Sequence, residues 1–68
     1  MKKIRNIIKL AHKQTGIIKY IAPNVRDITI TSDRNEALVI GSTVAREKYF
    51  SMALIQYGDE YNVELEEV

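Results

Sequence analysis

Apolar positions change their spacing along this chain, first recurring every three or four residues and later every second one. Over about residues 2–14, Ile4, Ile7, Ile8 and Ala11 share one side of a helical wheel, with Leu10 at its margin. Lys2, Arg5, Lys9, His12 and Lys13 fall on the other side. The spacing predicts an amphipathic helix, with Gly16 as a left-handed cap after Gln14-Thr15.

Residues 17–22, Ile-Ile-Lys-Tyr-Ile-Ala, are rich in β-branched and aromatic side chains and stop at Pro23-Asn24, so they read as a strand. A competing reading carries the first helix on to Ile21, because Ile18 and Ile21 keep its spacing. Residues 27–31 alternate, with Ile28 and Ile30 inward and Thr29 and Thr31 outward. The turn formers Ser32-Asp33-Arg34-Asn35 then lead into Glu36-Ala37-Leu38-Val39-Ile40, apolar enough for a central strand. These two segments are expected to pair as an antiparallel hairpin.

A second helix is predicted from about Thr43 to Tyr57. Ser42 or Thr43 caps its start, Gly58 ends it, and Tyr49, Phe50, Ala53, Leu54 and Tyr57 form its apolar stripe. Tyr61 to Glu66 alternates again, placing Tyr61, Val63 and Leu65 inward and Glu64 and Glu66 in water, as suits an edge strand. The expected fold class is α+β: a small antiparallel sheet of three or four strands with two helices packed on one face. Its order is α-β-β-β-α-β, or α-β-β-α-β if the first helix is long.

Sixty-eight residues with 46% hydrophobic content fit one folded domain over 1–68. A domain this small buries only about 60% of the surface of its unfolded chain. Without cysteine there is no disulfide, and one histidine does not assemble a zinc site, so a homodimer is the expected source of further burial. Lys9 interrupts Ile7-Ile8, leaving neither a signal-like apolar run nor a membrane span, and cytoplasm is the default compartment.

The net charge of +1 conceals an asymmetry. Residues 1–26 carry seven basic side chains and no acid, for +7; residues 27–68 carry three basic against nine acidic, for −6. On the predicted first helix, Lys2, Arg5, Lys9 and Lys13 would align for about 17 Å, a row able to track nucleic-acid phosphates. Only Tyr20 offers an aromatic near that row, so phosphate contact should dominate over base reading. The structural counter-reading is an ordinary solvated helix face.

The acidic end, with Glu64 and Glu66 on a predicted edge strand, suggests a protein-binding regulator or inhibitor acting through that strand or an apolar patch. Such a small chain with few signatures suits a phage or mobile-element accessory protein. A third reading is a self-assembling subunit, the basic surface of one chain meeting the acidic surface of the next. Catalysis is not expected. His12 has no acid spaced to orient it, hydroxyls lack an identifiable base, and no metal-ligand cluster or cofactor motif occurs. Gly41-Ser42-Thr43 lacks the Walker spacing and reads as a capped helix start.

Overall fold

The computed structural model of the chain describes residues 5–24 and 26–68. Its elements are β1 (Asn6–His12), β2 (Ile18–Pro23), β3 (Ile28–Thr31), a 3₁₀ turn (Arg34–Glu36), α1 (Thr43–Tyr57) and β4 (Tyr61–Glu67). The strands form one antiparallel sheet in the order β3-β2-β1-β4. The α+β class stands, but with one α-helix rather than two among the described residues.

The expected first helix is the strand β1, with β2 on one side and β4 on the other. Ile7 and Ile8 explain the difference. They are 2% and 1% exposed, and neighbouring residues of a strand point to opposite faces, so this segment is buried from both sides. A strand enclosed in that way loses its polar alternation, and its apolar residues then imitate helical spacing. The two β-branched isoleucines also pack better on a pleated surface than on a helix. Gly16, rather than capping a helix, supplies the positive φ (74°) needed by the turn joining β1 to β2. The extension of a helix to Ile21 is excluded by the pairing of β2 with both β1 and β3.

The expected strand at residues 36–40 is also corrected. A 3₁₀ turn spans Arg34–Glu36, capped by the Asp33 side chain accepting from the Asn35 N–H at 2.9 Å. The chain then enters a gap between β1 and β2. The Leu38 N–H donates to the Ile21 carbonyl (2.9 Å), while Asn6 and Ile40 exchange both backbone bonds (3.0 and 2.8 Å). Peptide groups that would have built a hairpin with β3 thus close the splayed end of the β1–β2 ladder.

Directly opposed residues of antiparallel strands share a face. Ile8, Leu10, Ile21 and Ile28 lie on the side covered by α1 and form the core with Ile40 and Ala53. Leu10, Ile21 and Ala53 are fully inaccessible. Alanine at position 53 lets the helix approach the sheet closely, while Tyr49, Phe50 and Tyr57 close the margins. Ser42 accepts from the Ala45 N–H at 3.1 Å, so the hydroxyl before α1 is a helix cap. The opposite face of the sheet carries Ile7, Lys9, Tyr20, Glu64 and Glu66. No α-helix among the described residues covers it, but Arg34 of the 3₁₀ turn reaches Glu66 there, across from the buried Ile7, which leaves the face open around Lys9, Tyr20 and Glu64.

Candidate functional site

The residues expected to form a basic row do not share a helix. Lys2 lies outside the described residues. Arg5 is exposed just before β1, Lys9 is half-buried within it, and Lys13 is exposed in the turn that follows. Lys9 stands opposite Glu64 on one neighbouring strand and opposite Tyr20 on the other. The cation at the middle of the supposed row therefore has a carboxylate of the same chain as its cross-strand neighbour. Arg5 and Lys9 keep a common parity, because residues four apart share a side of a strand as well as of a helix.

His12 has a structural assignment. Its Nδ1 accepts from the N–H groups of Gln14 and Thr15, each at 3.2 Å, and holds the turn after β1. That acceptor exists only while Nδ1 carries no proton. The ring meets Tyr61 edge-on at 5.0 Å, and Tyr61 meets Tyr57 in the same manner at 6.3 Å. Beside it, Lys13, Gln14, Asp59 and Glu60 line an open hollow of about 400 Å³. Among the described residues, no group of three or more His, Cys, Asp and Glu is arranged to hold a metal ion.

The acidic strand forms a more definite site. β4 pairs with β1 over seven residues and is the last strand on its side of the sheet. The Lys13 N–H donates to the Glu60 carbonyl (2.9 Å), and the Val68 N–H donates to the Arg5 carbonyl (3.0 Å). These two bonds fix the alternation of the whole ladder. Residues 60, 62, 64, 66 and 68 turn their peptide groups toward β1, and Tyr61, Val63, Leu65 and Glu67 turn theirs away from it. The outward-directed groups are the hydrogen-bonding row on which another strand adds.

The side chains divide by the same parity. Val63 and Leu65 lie on the helix side, where Leu65 remains 41% exposed. Leu54 of α1, three residues before Tyr57 and so on the same flank, is 47% exposed. Glu64 and Glu66 lie on the face away from α1. Glu64 is exposed, whereas Glu66 accepts from the Arg34 Nε at 3.2 Å across the 3₁₀ turn. From Gly58 to Val68 the sequence has five carboxylates and no cation. Sequence reasoning found Glu64 and Glu66 but missed the outward peptide groups and the exposed Leu54 and Leu65, which depend on register and helix placement.

No protein-family model, curated protein or solved structure matches the chain. No helix among the described residues is long and apolar enough to cross a membrane.

Proposed function

We propose that this chain is a non-enzymatic, cytoplasmic protein-binding module that docks an extended, positively charged segment of a partner along β4. The observation that carries this reading is the outward row of peptide groups on β4, flanked by the exposed Glu64 and the Arg34-paired Glu66 on one face and by the exposed Leu54 and Leu65 on the other. Backbone hydrogen bonds provide attachment in strand addition, and side chains beside the edge provide selectivity. Carboxylates also protect an edge from indiscriminate pairing. Here they oppose self-pairing while favouring a cationic strand.

Nucleic acid is the second reading, supported by Lys9 and Tyr20 side by side on the open face. A polyanion there would also meet Glu64 and Glu66, which weakens that reading relative to a basic protein segment.

One experiment separates the two. The isotope-labelled chain is titrated in parallel with a Lys-rich β-forming peptide, a single-stranded oligonucleotide and a duplex, following backbone amide resonances. Strand addition shifts the amides of Val63, Leu65 and Glu67. Phosphate binding shifts Arg5, Lys9 and Tyr20 instead, weakens steeply with salt, and loses that dependence when Arg5, Lys9 and Lys13 become Gln. A peptide that leaves the β4 amides unmoved at low salt refutes the proposal.

A further inference from the structure

Resting on the reading of β4 as a docking edge, the geometry points to a particular ligand: an antiparallel segment in which basic and apolar residues alternate. From its N-terminal end, a basic residue opposite Glu66 is followed by an apolar one opposite Leu65, a second basic one opposite Glu64, and an apolar one opposite Val63.

The ladder alternation sets the pattern. Because Val63 and Leu65 direct their peptide groups outward, an added antiparallel strand exchanges its paired hydrogen bonds with them. The residues it places opposite Val63 and Leu65 share their side of the sheet and lie toward the exposed Leu65 and Leu54. Apolar side chains suit those positions. The residues opposite Glu64 and Glu66 form the non-hydrogen-bonded pairs, whose Cα atoms approach to about 4.5 Å and whose side chains meet most closely. Cations belong there, on the face away from α1. Glu64 is the stronger determinant, since Glu66 already holds Arg34 at 3.2 Å. Antiparallel addition continues the pattern of every strand pair in the sheet.

Charge also disfavours one obvious occupant. A second copy pairing symmetrically through β4 places Glu64 opposite its own equivalent when Val63 faces Leu65 of the copy. It places Glu64 opposite Glu66 when Leu65 faces its equivalent. Like charges directly opposed destabilise a strand pair. The same carboxylates that reject the copy accept the basic strand.

The test uses the full chain and three fluorescent peptides: Lys and Val alternating, the same composition with Lys and Val in separate blocks, and Glu and Val alternating. The alternating Lys peptide should bind about tenfold tighter than the blocked one, from two favourable cross-strand pairs gained. The Glu64→Lys variant, with unchanged circular dichroism, should reverse the order of the Lys and Glu alternating peptides. A spin label on the N-terminus of the bound peptide should broaden Glu67 before Tyr61. Equal affinity for alternating and blocked Lys peptides, both shifting β4 amides, overturns the pattern while leaving the docking edge in place. No peptide binding at all, or β4 shifts that depend only on the concentration of the chain itself, overturns both.

Discussion

Leu10 separates a buried central strand from a surface helix. In an amphipathic helix over residues 2–14 it sits at the margin of the apolar face, and truncation there would cost less than about 1 kcal/mol. In the sheet it is fully inaccessible, faces α1, and lies in the cluster with Ile8, Ile21 and Ala53. Leu10→Ala deletes three carbon atoms from that cluster. The lost transfer energy and the cavity together amount to about 3–5 kcal/mol, because a central strand pinned on both sides cannot move in to fill the space. A domain of this size has a total stability of about 3–10 kcal/mol. The substitution therefore removes a third of it or more. Urea denaturation followed by far-ultraviolet circular dichroism measures the effect. With a denaturant slope of about 1 kcal/mol per molar, the midpoint falls by about 3 M or the folded baseline disappears. Leu10→Val, which leaves a smaller cavity, gives a measurable transition if alanine does not. A loss below about 1 kcal/mol for Leu10→Ala would refute the placement of this residue in the core.

Three further outcomes follow from the described contacts. His12→Ala removes the acceptor for the Gln14 and Thr15 N–H groups and should lower stability by about 1–2 kcal/mol, with faster hydrogen exchange at those two amides; His12→Asn, a natural turn acceptor, should recover part of it. Ser42→Ala should cost about 1 kcal/mol by thermal denaturation, and Ser42→Asp almost nothing, since both oxygen-bearing side chains can hold the Ala45 N–H. The Arg34–Glu66 pair is 49% and 37% exposed, so a double-mutant cycle to alanine should give a coupling below about 1 kcal/mol that shrinks further in salt.

Legibility in the sequence depended on whether an element is defined by its own residues or by its neighbours. α1 was readable because Ser42 caps it and Tyr49, Phe50, Ala53 and Tyr57 keep one period. β4 was readable because Val63 and Leu65 alternate with Glu64 and Glu66. β1 was not, because burial of both its faces, at Ile7 and Ile8, removes the polar alternation that would have marked it. Arg5, Lys9 and Lys13, spaced by four, fit either geometry. Residues 36–40 carry a strand-like composition, yet Glu36 and Ala37 bond back to Asp33 and Arg34, while Leu38 and Ile40 bond to Ile21 and Asn6, which lie far away in sequence. The charge of the candidate site could be read directly from Glu64 and Glu66. Its directionality could not, because which peptide groups face outward is decided by the register with β1.

The short segment entering the gap between β1 and β2 ties together two places otherwise distant along the chain. Ile40 stands two residues before the Ser42 cap and holds Asn6, the first residue of β1, through both of its peptide groups. Fraying of the opening strand and unwinding of the first helical turn are therefore expected to be coupled. Loosening either one releases the amides of Asn6, Ile40 and Ala45 to solvent deuterium together.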